Sequence, residues 1–376
     1  MFETSTLVSP VSTQVFPVVV TVLTLKPAKV VLLSTPQMKM YSEFIRRALN
    51  LHGIEVQERE INPYSFSSIK EVVKDIQNPI FLLNCGTKFT AISLYRISNG
   101  KNMFYYLPTG EIVDFNGNKI ARVSENLIDV ETHAKIYGFE IVEERQDIKR
   151  IRERKELTEK IASNDRIVLL LLTLFHKGFT RIFPEKLLKL AVKHNVLAYK
   201  GGKIVPLDRE YVGGKWLEEF VFNRLIDLNF SDVRIGVKVK WYGENVFNEI
   251  DVMATKNNFL YLFSCKSGKN VKDILKHLYE LEELTERIGG DFGRSYLVIT
   301  KNLFKSHPPS RKEFPNAPKE GFFENKSRWY NYYKTPEGEN YKRELSEYRR
   351  FVNLRKRAKL LKIKIITPQN FGGEVV

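Results

Sequence analysis

Two short runs joined by a polar turn constrain the fold of this chain most. Residues 248–252 alternate polar and apolar side chains around Glu249, Ile250, Asp251 and Val252, and residues 259–266 run from Phe259 through Phe263, Ser264 and Cys265 to Lys266. Between them lies Thr255-Lys256-Asn257-Asn258. A period of two belongs to strands, and a polar break between two such runs predicts a hairpin. Glu249 and Asp251 then share one face, as do Ser264 and Lys266, while Ile250, Val252 and Phe263 pack on the other. A carboxylate and an amine come side by side. That pairing suits metal-assisted phosphodiester cleavage, in which the carboxylate holds a hard cation, the cation activates water, and the lysine orients it or neutralises phosphate charge. The same residues would equally make a buried Asp–Lys ion pair in an ordinary hairpin.

The flanks add to this core. Residues 213–222 open a helix with Leu217, Val221, Leu225 and Leu228 at helical spacing, and it offers a further carboxylate, Glu218. Residues 271–288 place Ile274, Leu275, Leu278, Leu281, Leu284 and Ile288 on one stripe, end at Gly289-Gly290, and lead into a strand at 295–300. Helix, three strands, helix, strand, with these acids and this lysine, resembles the PD-(D/E)xK restriction-endonuclease fold. The resemblance implies a catalytic set of Glu218, Asp251 and Lys266, and a Mn²⁺ or Mg²⁺ ion held by Asp251, Glu218 and the backbone carbonyl of Cys265. Ser264 stands where that family usually has an acid, and serine is a weak ligand without charge. Glu249, on the face of Asp251, is the first candidate to replace it; Glu280 or Glu283 on the next helix is the second.

The N-terminal half alternates strand and helix. A short strand at Leu7-Val8 precedes the hydroxyl-rich segment 9–14, and the apolar run 15–25 reads as a helix capped by Ser12 and Thr13 and closed by Lys26-Pro27. Strands at 29–35, 55–62 and 80–84 alternate with helices at 39–50 and 67–75, the pattern of an open doubly wound sheet that binds ligands beyond its strand ends. At those ends lie Ser9, Pro10, Val11, Ser12, Thr13, Gln14, Thr35 and the group Asn84, Gly86, Thr87, Lys88. Glycine, hydroxyl and lysine at a strand-to-helix junction let amides approach a phosphate while the ammonium adds charge. Together these loops resemble the CARF domain, the Rossmann-like sensor of cyclic oligoadenylates in CRISPR immunity; a shortened Cys85-Gly86-Thr87-Lys88 replaces the family's longer glycine-threonine-lysine segment. Sensor and nuclease in one chain look like the cyclic-tetra-adenylate-activated DNA/RNA nucleases of type III CRISPR systems.

Between them, two apolar helices around 167–174 and 185–194 and a wing at 197–205 resemble a winged helix, which the family implies is a connector and the residues alone would equally permit to read DNA. The expected α/β organisation is therefore a sensor at 1–148, a winged-helix-like connector at 149–210, and a nuclease domain at 211–376 with a basic, aromatic insertion at 302–348. Net charge is +16, and residues 301–364 hold 18 Lys+Arg against 7 Asp+Glu, so +11 sits in that stretch. Cations beside stacking rings suit single-stranded nucleic acid, with about half of the rings expected to form a small core instead and prolines 308, 309, 315, 318 and 336 expected to break regular structure. Two cysteines, Cys85 and Cys265, in apolar runs suggest buried thiols in a reducing cytoplasm, and no stretch is long enough to span a membrane. The leading expectation is an activator-dependent, metal-dependent endonuclease acting on DNA or RNA as a homodimer. Its competitors are a DNA-binding regulator with a decayed nuclease fold and a constitutive nuclease whose N-terminal domain only dimerises.

Overall fold

The computed structural model describes residues 2–267, 271–300, 307–319 and 321–375, so residues 302–306 and 320 of the basic insertion lie outside the described residues. The first sheet contains β1 (Thr6–Pro10), β2 (Lys29–Ser34), β3 (Val56–Glu60), β4 (Pro79–Leu82), β5 (Met103–Tyr106), β6 (Glu111–Asp114) and β7 (Lys119–Arg122). Their order is β3-β2-β1-β4-β5-β6-β7. β3 through β5 are parallel, and β6 and β7 add an antiparallel edge. The reversal of strand order at β1 and β4 puts the loops after these two strands next to each other, the usual ligand crevice of such sheets. The central strands are apolar on both faces because helices cover both.

The helix Phe16–Leu25 forms as expected, with Pro17 in its first turn and Lys26 closing it at φ 49°. The expected hydroxyl cap does not. Val15 occupies the cap position without a side-chain bond, and the Ser12 hydroxyl instead accepts from the Gln14 amide, which turns the loop.

The second sheet runs β15-β14-β13-β12-β11-β8. It is made of β8 (Phe139–Glu143), β11 (Ser231–Trp241), β12 (Phe247–Lys256), β13 (Phe259–Lys266), β14 (Gly293–Ile299) and β15 (Lys364–Ile366); the intervening β9 (Leu197–Lys200) and β10 (Lys203–Pro206) form a separate hairpin. β8 thus reaches this sheet from within residues 1–148. β12 and β13 make the anticipated hairpin, but its turn has two residues rather than four: Thr255 and Lys256 remain in β12, and Asn257 and Asn258 take positive φ of 52° and 67°. Asparagine tolerates this conformation at little cost, and it matches the twist of the strands.

The helix that follows the connector begins at Trp216, after a π-turn at Tyr211–Lys215. It is not amphipathic in the expected sense: Trp216, Phe220 and Phe222 are buried along with Leu217, Val221 and Leu225. The winged-helix-like unit comprises helices Lys155–Ala162, Asp165–Lys177 and Glu185–Lys193 with the β9–β10 wing. In the insertion, Phe314, Trp329 and Tyr332 form a small core with Phe322, Tyr333 and Tyr341 against it, while Phe323 and Tyr330 stay exposed. Pro336 starts regular structure there instead of breaking it, because proline at the first turn of Pro336–Leu360 forfeits no helical hydrogen bond.

Candidate functional site

The ladder between β12 and β13 ends at the Val252–Phe263 pair. Beyond it the Asp251 carboxylate takes over, its Oδ2 accepting from the Cys265 amide at 2.6 Å, the Ser264 hydroxyl at 3.4 Å and the Lys266 ammonium at 3.4 Å. Asp251 and Lys266 are half-buried; Val252 and Phe263 pack together in the core that includes Leu217 and Val221, whereas Ile250, expected on their face, packs in a separate cluster with Met253, Leu262 and Leu278. Ser264 is therefore occupied with Asp251. Among the described residues no hydrogen bond engages Asp251 Oδ1.

Glu218 enters from the first turn of Trp216–Asp227. Burial and then the negative field of Asp251 push its carboxyl up to about 8, with Glu249 raising it further and Arg145 and Lys215 opposing. Glu218, Asp251 and Glu249 thus share one electrostatic site, with Glu249 exposed at its rim. Glu280 is paired with Lys276 and His277 on its own helix. Glu283 makes no bond or ion pair among the described residues.

A buried network sets the helix that carries Glu218. Its neighbour Glu219 is fully buried and accepts from Arg154 Nε at 2.6 Å, again from Arg154 NH2, and from Arg145 NH2 at 2.9 Å. Arg154 also reaches Asp208 at 2.9 Å and lies over the Tyr211 ring, whose hydroxyl meets Thr158 at 2.9 Å. These residues tie the connector to the nuclease helix and leave Glu218 facing the hairpin. Arg145, Arg154, Lys215 and Glu219 were not anticipated from sequence. The adjacent acids Glu218 and Glu219 were the available signal: on a helix they point about 100° apart, so if one faces a site the other needs its own partner.

Among the described residues no three His, Cys, Asp or Glu side chains converge as a metal cluster. The donor set nevertheless fits a hard divalent cation. Burial and then the neighbouring Asp251 disfavour a negative charge on Glu218, a cost that a bound divalent cation would offset, and oxygen donors are what such an ion takes. The Cys265 thiol, pushed well up by burial and by Asp251 and Glu218, is no thiolate ligand.

In the first sheet the two expected loops meet. Gly86 has φ 87° and lies so close to Pro10 that a Cβ would stand 2.6 Å from the proline's own Cβ, which only glycine avoids. The buried Cys85 thiol donates to the Gln14 carbonyl at 2.9 Å, joining the same loops, and burial pushes it up to about 11. Ser9 is buried, its hydroxyl donating to the Pro10 carbonyl, and the Val11 amide donates to the Leu33 carbonyl. Thr13, Gln14 and Lys88 are exposed, while Ser12 and Thr35 are half-buried at the strand ends. Thr87 caps the helix Lys88–Ser98 through the Thr90 amide. The Asn84 amide is committed to the Tyr106 backbone, accepting from its N–H at 2.7 Å and donating to its carbonyl at 2.8 Å, so it shapes the crevice floor.

Residues 6–133 match the family model of the Card1 CARF domain, and residues 207–307 that of the Card1-like endonuclease domain. Three solved structures share the fold. Can2 from Sulfobacillus thermosulfidooxidans, solved in complex with cyclic tetra-adenylate, is 18% identical with a TM-score of 0.69 over 99% of this chain and 96% of that one. Protein VC1899 from Vibrio cholerae is 19% identical with a TM-score of 0.71 over 97% and 94%. A type III CRISPR defence DNA nuclease activated by cyclic oligoadenylate is 18% identical with a TM-score of 0.55, over 82% of this chain and 47% of that one. No curated protein sequence matches the chain. The chain belongs with the CARF-domain nucleases, a Card1 CARF domain joined through a winged-helix-like unit to a Card1-like endonuclease domain.

Proposed function

We propose that this protein is a metal-dependent endonuclease of type III CRISPR defence, activated by cyclic tetra-adenylate and cutting or nicking DNA, single-stranded RNA or both. The observation that carries the reading is the Asp251–Lys266 pair at the end of one hairpin, with the helix carboxyl of Glu218 in the field of Asp251, in a chain whose sensor loops also converge. Glu218, Asp251 and the Cys265 carbonyl would hold Mn²⁺ or Mg²⁺, which when bound supplies an activated water and neutralises charge at the phosphate. Lys266 presents its ammonium beside Asp251 and can orient water or meet a phosphate oxygen. Asp251 is pre-organised by the Cys265 amide. Lys88 and the exposed ends of the 9–14 loop supply the charge and donors for the activator's phosphates.

The test is purified protein with plasmid DNA or single-stranded RNA and Mn²⁺, with and without cyclic tetra-adenylate. Cleavage that requires both metal and activator is expected. Cleavage of equal rate without activator would leave a constitutive nuclease. A second reading, a nucleic-acid-binding regulator with a decayed nuclease fold, is favoured by the Ser264 hydroxyl being spent on Asp251. Absence of cleavage under any metal would select it.

A further inference from the structure

The connector carries a charge that the nuclease and sensor do not use. From Lys177 to Lys203 there are seven Lys+Arg and one Asp+Glu, a net +6. With +11 in residues 301–364 and +16 overall, everything else sums to 16 − 11 − 6 = −1. This connector stretch and residues 301–364 together account for the net positive charge of the chain. The connector's cations are ordered by the fold. On Glu185–Lys193 the core face is Leu187 and Ala191, and Lys186, Lys189 and Lys193, spaced three and four apart, form one stripe on the opposite side. Of the seven basic residues, only Lys189 has an ion-pair partner among the described residues, Glu185.

The wing repeats the pattern. Gly201 and Gly202 turn with φ of 54° and 74°, and the flanking pair is Lys200 opposite Lys203. Like charges directly opposite on a hairpin are destabilising unless something neutralises them. Tyr199, one residue earlier, is 67% exposed, and Ile182 is 76% exposed. A positively charged helix stripe beside a positively charged, aromatic wing has the chemistry of a phosphodiester-backbone surface.

A cavity of about 420 Å³ borders this unit, lined by Asn195 and Leu207 and by Arg145, Arg150, Arg154 and Lys215, each of which is paired with a lining acid, Asp147, Asp208 or Glu210. Arg209 is the lining cation with no ion pair among the described residues.

We propose that the winged-helix-like unit is a nucleic-acid-docking surface that grips the substrate backbone through Lys186, Lys193, Lys200 and Tyr199. The proposal rests on the nuclease reading for the role of what it binds, but not for binding itself. The experiment therefore uses the full chain carrying Asp251→Ala, which is expected to bind without cutting, and follows anisotropy of labelled duplex DNA and labelled single-stranded RNA across a salt series. Adding Lys186→Glu, Lys193→Glu and Lys200→Glu together should weaken binding by at least about tenfold and flatten the salt slope by about one for each lysine–phosphate pairing removed. Tyr199→Ala alone should weaken binding of the responsive probe several-fold without changing that slope, because it removes stacking and not charge. The probe that responds identifies the nucleic acid. Unchanged affinity and slope for both probes, in a variant that melts like its parent, would overturn the proposal. Weakened binding in a protein whose wild type cuts nothing would sink the nuclease reading and leave this surface standing.

Discussion

At Asp251 one carboxylate oxygen serves three donors and the other serves none among the described residues, so the side chain is a structural element of the hairpin that keeps one oxygen available for the proposed cation. Replacing it should do two things. Asp251→Ala is expected to abolish cleavage and, by leaving the Cys265 amide unpaired at a half-buried position, to cost about 1–3 kcal/mol of stability. Lys266→Ala should abolish cleavage with a smaller stability change, and neither should alter activator affinity measured by calorimetry, since the sensor loops lie in the other sheet. An Asp251→Ala protein that cuts as fast as its parent would show that the site is misassigned. Ser264 gives the complementary test. Its hydroxyl brings no charge, so Ser264→Glu should lower the Mn²⁺ concentration needed for half-maximal cleavage if the site is active but short of a ligand. A rise in that concentration would show that the serine–aspartate contact matters more than the missing charge.

At the scale of elements, the hairpin that carries the site is anchored at its far end in the sensor half. The Asn258 side chain accepts from the Ile128 amide and donates to the Ser124 carbonyl, the Asn257 amide donates to the Asn126 side chain, and the Val130 amide donates to Asp232. His133, fully buried, donates from Nε2 to the Asn258 carbonyl at 3.1 Å while its Nδ1 has no partner. Burial holds its pKa down, from 6.5 to about 4. The unfolded chain takes up this proton near pH 6.5 and the folded chain only near 4, so the contribution is complete above 6.5 and is lost as pH falls through that window, up to roughly 3 kcal/mol. Denaturant titrations across this window should show that loss, and His133→Gln should flatten it; an equally steep decline in the variant would assign the effect elsewhere. This anchoring was invisible in the sequence, where Asn257-Asn258 reads only as turn chemistry. Strands and helices were legible because apolar periodicity is local, and Asp251, Lys266 and Glu218 stood out because a strand pair and a helix acid suffice to suggest chemistry. The Arg154–Glu219 network and the Asn84–Tyr106 clamp were not, since their partners lie 65 and 22 residues away and nothing local marks them. Ser12 illustrates the converse: a residue competent to cap a helix spent its hydroxyl on a nearer amide.

For the whole molecule, the sensor half leaves an apolar helix face exposed. Phe89, Ile92 and Tyr95 are 42%, 67% and 52% exposed on the helix that begins at Lys88, an apolar face at helical spacing directly beside the expected phosphate contact. A ring of four identical units has two-fold symmetry, and a homodimer with its axis through that ring would use each loop twice and cover such a face, as isologous contacts require. The expected assembly is therefore a homodimer with the activator between two N-terminal domains. Ile92→Glu would place two charges in that contact, and light scattering should show monomers at micromolar concentration, with activator-dependent cleavage lost although the nuclease residues are untouched. Lys88→Ala should leave the dimer intact and weaken activator binding by about 1–3 kcal/mol, because the ammonium no longer donates to a phosphate oxygen. The pair separates assembly from recognition: a dimer that survives Ile92→Glu would exclude this face as the interface, and unchanged affinity in Lys88→Ala would remove the lysine from the pocket while leaving the dimer unaffected.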